Sequence, residues 1–297
     1  MSERPQFSVV ITTRDRHRQL AKLLCALTEL DFPRDQFEVI VVDDGSSVPF
    51  TPAVSSLCLQ TLRVNHGGPA RGRNTGVRAA RGEYLAFIDD DCMPEAGWLR
   101  ALQDTLLMNP GAMIGGRTRN GLPANPYSSA SQFIVDMVYA YYNENPHAGR
   151  FFATNNMALP RDRFLAIGAF DEDYLRSAGE DRDLCDRWAQ AGFPIVYEPV
   201  AVISHVHDLT FASFCRQHFF YGWGAAMFHR KASERRSGRM RDHLGFHRRL
   251  PSWFARTWQN HHPRPAIRLI ALFLMAQVVT AAGFLYGRLH RRPARIQ

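Results

Sequence analysis

Residues 84–93 read YLAFIDDDCM, an apolar run that ends on three consecutive aspartates, Asp89, Asp90 and Asp91. In a strand, alternate side chains share a face, so Asp89 and Asp91 would point one way and Asp90 the other. Two carboxylates ~6 Å apart repel by ~3 kcal/mol at an effective dielectric of about 20. A hard divalent cation offsets that repulsion, and a phosphate-bearing substrate commonly brings one. A second acidic pair, Asp43 and Asp44 in VIVVDDGSS, also follows an apolar run and precedes Gly-Ser turn chemistry. One such cluster can be a solvated turn or a helix cap; two at neighbouring strand ends point to a shared crevice.

Further along, GEDRDLCDRWAQAG places Asp181 ahead of a helical stripe of Leu184, Cys185 and Trp188. In a first helical turn the dipole favours the ionised carboxylate and lowers its basicity. Glu180 and Asp183 read as caps or acceptor contacts. His205 and His207 alternate in AVISHVHD and would share one face of a strand. Asn155 and Asn156 fit either acceptor contacts or backbone bridges, and Trp98 and Trp188 fit the core.

The elements that must hold these groups are legible as a β-α-β alternation. Residues 7–12, 37–42, 59–64 and 84–88 are short β-branched or aromatic runs, the form of strands buried on both faces. Leu20, Leu23, Leu24 and Leu27 form a helical stripe after the first run. PARGRNTGVRAA precedes the fourth run, and PEAGWLRALQDTLL follows it, with Pro94 suited to a first helical turn. The expected fold class is α/β, with a mostly parallel central sheet flanked by helices and a C-terminal helical tail. In such sheets ligands bind beyond the carboxyl ends of strands, where both acidic clusters fall.

Several function classes are excluded. The turn after the first run has no GxGxxG, and neither GxxxxGK[ST] nor GxSxG occurs in the chain. The five cysteines are scattered without a CxxC pair, which predicts reduced thiols and no zinc site. MSERPQFSVVITT lacks the apolar core of a signal peptide, so the first domain is expected in the cytoplasm.

Charge divides the chain. Residues 1–210 carry 20 Lys+Arg against 26 Asp+Glu, and residues 211–297 carry 16 against 2, net −6 and +14. The basic tail interleaves arginine with Phe211, Phe214, Phe219, Phe220, Trp223, Trp253, Phe254 and Trp258. It then runs uncharged from Leu269 to Gly287, enough for a helix of ~28 Å against a hydrocarbon core of ~30 Å. Membrane lipid, not nucleic acid, is the expected partner. The implied division is a catalytic domain over 1–210, an interfacial segment over 211–265, and an apolar anchor with a basic end over 266–297. Basic residues flank the apolar stretch on both sides, so its topology stays open between crossing and interfacial placement.

In order, VVITTRDR, EVIVVDDGSS, GGPARGRNTGVRAARGEYLAFIDDD, ATNNMALPRDRFLAIGAFDE and GEDRDLCDRWAQAG make the chain resemble glycosyltransferase family 2, the inverting enzymes of GT-A fold. The resemblance covers roughly residues 6–225. It implies transfer of a sugar from a nucleoside diphosphate, UDP-linked, to a hydroxyl acceptor, with Mn²⁺ or Mg²⁺. Carried onto this chain, it places Thr13 and Arg16 in the first loop against the nucleotide. Asp44 or Asp43 would accept from the base, and Arg73 and Asn74 would face the diphosphate side. Asp89 and Asp90 join the donor set, and Asp89, Asp91 and one of His205 and His207 the metal. Asp181 matches the catalytic base.

The first loop has Thr12-Thr13 where the family has Pro-Thr. The Q-x-x-R-W of polymer-forming members is missing, its nearest match being QHFFY at 217–221. One sugar per encounter is therefore expected, onto a lipid-linked or surface glycan at the cytoplasmic face of the inner membrane. The rival readings are a nucleotidyltransferase, whose Gly- and Lys-bearing first loop is missing, and a catalytically inactive binding module of the same fold.

Overall fold

The structure, a computed structural model, describes residues 4–52, 56–176, 178–237, 245–246, 248–260 and 263–290. Residues 238–244 of the expected interfacial segment and the basic end at 291–297 lie outside the described residues. Contacts divide the chain into two compact units: Met1–Arg119 with Asn145–Val206, and Asn120–Glu144 with His207–Gln297.

The first unit is built on an eight-stranded sheet: β1 (Phe7–Thr13), β2 (Phe37–Asp43), β3 (Leu59–Arg63), β4 (Tyr84–Ile88), β5 (Cys92–Pro94), β6 (Met113–Asn120), β7 (Asn156–Pro160) and β8 (Ile195–His205). Their order is β3-β2-β1-β4-β7-β6-β8-β5. The parallel half is β3-β2-β1-β4; β7 pairs antiparallel with both β4 and β6, and β5 antiparallel with β8. The sheet is therefore mixed, with the expected parallel strands forming one side of it. Every residue of β2 is buried, as its apolar run over Val39–Val42 implies, and Glu38 and Asp43 are buried with it.

Helices α1 (His17–Thr28) and α3 (Trp98–Met108) cover one face, packing Leu20, Leu24, Leu99 and Leu102 with Val9, Val39 and Ala86. Helix α2 (Pro69–Ala79) packs on β1 and β2, and a Cβ at Gly76 would stand 2.5 Å from Val10 Cγ1. Glycine is what lets this helix lie so close to the sheet. Pro94 does not open α3. It ends β5, opposite Ile203, and the helix starts at Trp98, whose N–H donates to Glu95 O. Trp98 and Trp188 are both core, as expected. Trp98 Nε1 donates to Asn156 Oδ1 at 2.8 Å, and Asn156 Nδ2 donates to Ala201 O at 2.9 Å. Asn156 is thus a backbone bridge.

The second unit is helical: α4 (Pro126–Tyr142), α7 (Phe211–Glu234), α8 (Leu250–Asn260) and α9 (Pro263–Leu289). The first unit keeps α5 (Arg161–Ala166) and α6 (Glu180–Gln190). Helix α4, expected inside a 1–210 domain, belongs instead to the second unit. Its Ala130 clusters with Phe214 and Ala276, and its Met137 with Phe273. Asn125 caps α4, accepting from Tyr127 N and Ser128 N, and Thr210 and Ser213 form a capping box on α7.

Candidate active site

Parallel register brings the carboxyl ends of β1, β2 and β4 together, pairing Thr13 with Asp43. The loops that leave them are tied to each other. Asp44 N donates to Thr13 O at 2.9 Å, and Asp15 Oδ1 accepts from both Ser47 N and Ser47 Oγ at 2.7 Å.

The acidic segment is a turn, not a strand end. β4 stops at Ile88, and Cys92 N donates back to Asp89 O at 3.0 Å, so strand alternation does not reach the aspartates. The expected pairing of Asp89 with Asp91 gives way to Asp90 with Asp91, joined through one cation. Arg16 Nη1 donates to Asp90 Oδ1 at 3.0 Å and to Asp91 Oδ2 at 2.8 Å, while Thr13 Oγ1 donates to Asp90 Oδ2 at 2.7 Å. Burial pushes the Asp90 carboxyl up to about 6, although the Arg16 guanidinium works against it.

Asp89, a third exposed, instead meets Arg73, whose Nη2 donates to its Oδ1 at 2.8 Å. The other arm of this buried guanidinium reaches Glu180 Oε1 at 2.9 Å. Glu180 opens α6, whose N-cap is Gly179, and neither Glu180 nor Asp183 caps the helix; Asp183 pairs with Arg187 at 2.7 Å. Glu180 Oε2 is buried and has no hydrogen-bond partner. Asp181 follows, with Oδ1 accepting from Arg182 N at 2.7 Å. The helix dipole was expected to lower its basicity. Burial, with the Glu180 charge beside it, does the reverse and pushes the carboxyl up to about 7.

Two donor-side expectations are redrawn by hydrogen bonding. Asp44 is enclosed by the 66–68 turn: Gly67 N at 2.8 Å on Oδ1, Gly68 N at 3.0 Å and His66 Nδ1 at 2.8 Å on Oδ2. The glycine-rich GGPARG thus opens α2 by donating to an internal carboxylate. Asp43 receives Ser46 N on Oδ1 at 2.7 Å, but its buried Oδ2 has no hydrogen-bond partner, with Arg63 Nε 4.0 Å away. Asn74 spends its amide on one loop, accepting from Phe170 N and donating to Phe170 O and to Glu172 Oε1. It is a clamp for residues 170–172, which leaves it no free arm for a diphosphate. A pocket of about 580 Å³ lies beside this clamp, lined by Asn74, Arg78, Phe170, Glu172 and Arg187, and includes none of Asp89, Asp90, Asp91 and Asp181.

Among the described residues, Asp91, Cys92 and His205 bring donor atoms within 4.8 Å of one another. Asp91 Oδ1 lies 3.2 Å from His205 Nε2; burial works to lower that imidazole's pKa, but Asp91 together with the Asp89 charge holds it above its usual value. Cys92 is fully buried, and burial with the adjacent carboxylates raises its thiol well above the usual range, so it stays protonated. A carboxylate and an imidazole fit an ion of Mn²⁺ type better than Mg²⁺, which prefers all-oxygen ligands. His207 is not in this group. β8 ends at His205, so alternation does not extend to His207, which belongs to the second unit. Nor is Asp89 in it. Five carboxyls (Asp89, Asp90, Asp91, Glu180 and Asp181) thus face two guanidiniums and one imidazole.

Sequence reasoning had the acids and Arg73 but missed the part played by Glu180. Its only signal was adjacency to Asp181. Nothing local pairs it with Arg73, 107 positions away.

Comparison with known proteins gives the family and the fold. The model of the family "Glycosyl transferase family 2" matches residues 8–168. A pre-mycofactocin glycosyltransferase of Mycobacterium tuberculosis is 31% identical over 227 residues, covering 74% of this chain and 46% of its own length. The chain therefore spans less than half of that relative. The glycosyltransferase AglE of Haloferax volcanii is 25% identical, over 65% of this chain and 64% of its own. Among solved structures, the mannosyltransferase PcManGT of Pyrobaculum calidifontis, in complex with GDP-Man and Mn²⁺, superposes with a TM-score of 0.67. It is 19% identical, over 95% of this chain and 88% of its own. TarS of Staphylococcus aureus with UDP-GlcNAc gives a TM-score of 0.54 at 16% identity, over 96% and 90%. These structures share the GT-A fold with the chain.

Proposed function

The chain belongs to glycosyltransferase family 2, and from that premise we propose that it moves one sugar per encounter, with inversion, from a UDP-linked donor to a hydroxyl of a lipid-linked or surface glycan. The observation that carries this reading is the excess of carboxylates where the ends of β2 and β4 meet the start of α6, with a cation-binding side after β4 and a base on α6. On the base side, Asp181 takes the acceptor hydroxyl proton as the oxygen forms its bond to the anomeric carbon and the bond to the diphosphate breaks. A carboxyl near pH 7 is suited to that transfer. On the donor side, Asp43 Oδ2 is the buried acceptor that a ring N–H of the base would satisfy. Arg16 and Arg73 hold positive charge beside the place of the leaving group.

Asp91 and His205 would hold the divalent cation, whose chemistry there is to stabilise negative charge on the departing diphosphate. The structural neighbour complexed with Mn²⁺ supports metal dependence. The basic, aromatic tail and an apolar helix long enough to reach across a bilayer support attachment to the cytoplasmic face of the inner membrane. There an anchored enzyme meets a membrane-bound acceptor by lateral diffusion.

The test is a thermal-shift screen of nucleotide sugars with and without Mn²⁺, followed by turnover of the donor that stabilises. Asp181→Asn should lower transfer by roughly 10²–10⁴-fold while calorimetry finds donor affinity nearly unchanged. Loss of donor binding in that variant would make Asp181 structural. Metal-dependent turnover surviving Asp91→Ala would remove the cation site.

A further inference from the structure

The second unit presents an apolar helix face that, among the described residues, none of its own elements covers. Among the described residues, Ala266–Leu289 of α9 is the one helix long and apolar enough to cross a bilayer, with a mean hydropathy of 2.0 over its richest window. Its two sides differ. Phe273, Ala276, Gly283 and Gly287 are buried, packing against α4, α7 and α8. Ile267, Leu274, Met275, Val278, Leu285 and Leu289 are 41–79% exposed. At 100° per residue these six fall within one ~100° arc opposite the buried set, a stripe ~33 Å long. Exposed Arg268 and Arg288 stand at its two ends.

Register with α7 decides how such a helix can meet lipid. Phe214 clusters with Ala276, a Cβ on Gly283 would collide with Phe219 O, and one on Gly287 would crowd Trp223. Numbers rise together, so α7 and α9 run parallel with their backbones nearly touching. A Cβ on Gly222 would likewise collide with Thr280 O. If α9 crossed a bilayer, α7 would be carried in beside it. The same offset sets exposed Arg216 level with Val278, at the middle of the crossing. An exposed arginine at the bilayer centre is among the most costly placements a side chain can take.

We propose that α9 does not cross the membrane but lies in its plane, sinking its outer stripe into the acyl boundary of an anionic phospholipid leaflet. Arg268 and Arg288 then reach phosphates at either end, and Arg216 stays out of the hydrocarbon. The net charge of +14 over residues 211–297 complements an anionic lipid surface. It also explains why α9 is apolar all round: protein covers one side and lipid the other. The inference rests on the membrane attachment proposed above and adds its geometry.

The experiment uses the full chain with Cys25, Cys58 and Cys215 replaced by serine. A fluorophore is placed singly through Ile267→Cys, Val278→Cys or Leu285→Cys. The protein is bound to phosphatidylcholine–phosphatidylglycerol vesicles carrying quenchers at shallow or deep acyl positions. In-plane placement predicts the same shallow depth at all three sites. It also predicts at least tenfold weaker vesicle partition for the double variant Val278→Glu/Leu285→Glu, with donor hydrolysis unchanged. A deep Val278 label between shallower flanks would overturn the in-plane geometry and leave attachment standing. No partition of the unsubstituted chain into vesicles would overturn attachment itself. Nitroxide labels that broaden one another equally with and without vesicles would assign the stripe to a second copy of the chain.

Discussion

Asp181 and Glu180 adjoin at the start of α6, and their chemistry is set by what surrounds them. Glu180 is fully enclosed, tied to Arg73, and raised in pKa by that burial; its charge in turn helps hold Asp181 at about 7. As the proposed base, Asp181 would work only when ionised. Log kcat/KM should therefore climb with unit slope up to about pH 7 and level off above it. Glu180→Gln removes one of the three influences that raise Asp181, the others being burial and the Asp89 charge, so the acidic limb should move to lower pH. A limb that stays in place in that variant would mean that the base lies elsewhere. The acids themselves were legible, because carboxylates directly after an apolar run stand out in any reading of the chain. Their partners were not. Arg16 reaches Asp90 and Asp91 across 74 and 75 positions, and no spacing rule connects them.

At the scale of elements, the end of β2 is joined to the start of α2 through Asp44. Three donors from residues 66–68 converge on its buried carboxylate, so Asp44→Ala leaves Gly68 N short of an acceptor in the interior and Gly67 N and His66 in a partly buried turn. That should cost about 2–4 kcal/mol in urea unfolding. Asp43→Asn keeps an oxygen for Ser46 N and should cost under about 1 kcal/mol. It should nonetheless weaken donor binding at least tenfold by calorimetry, since the amide changes what the buried Oδ2 position offers. The reverse pattern would assign the base to Asp44. Continuous apolar runs located β1, β2 and β4, and period-3.6 stripes located α1 and α6, because burial imposes both locally. They failed at residues 89–94, where pairing of Cys92 with His205 ends the alternation and makes Pro94 part of a strand.

For the whole molecule, the proposed membrane binding draws on charge and apolar surface together. The basic tail's attraction to anionic lipid is screened by salt, and the stripe on α9 is not. Sedimentation with anionic vesicles should lose most of its strength between about 0.05 and 0.5 M salt but keep a residue that persists with neutral lipid. Binding indifferent to salt would exclude the electrostatic part. The sequence alone determined the α/β class, the family, the acidic rim and the basic, apolar tail, since each is written in composition or in short-range order. Only the tertiary structure decided which carboxylate each arginine holds, which acid of the Asp43–Asp44 pair keeps a free oxygen, and which unit takes α4. Those outcomes depend on side chains brought within 3 Å from distant parts of the chain, and contact at that range is a property of packing that no local pattern encodes.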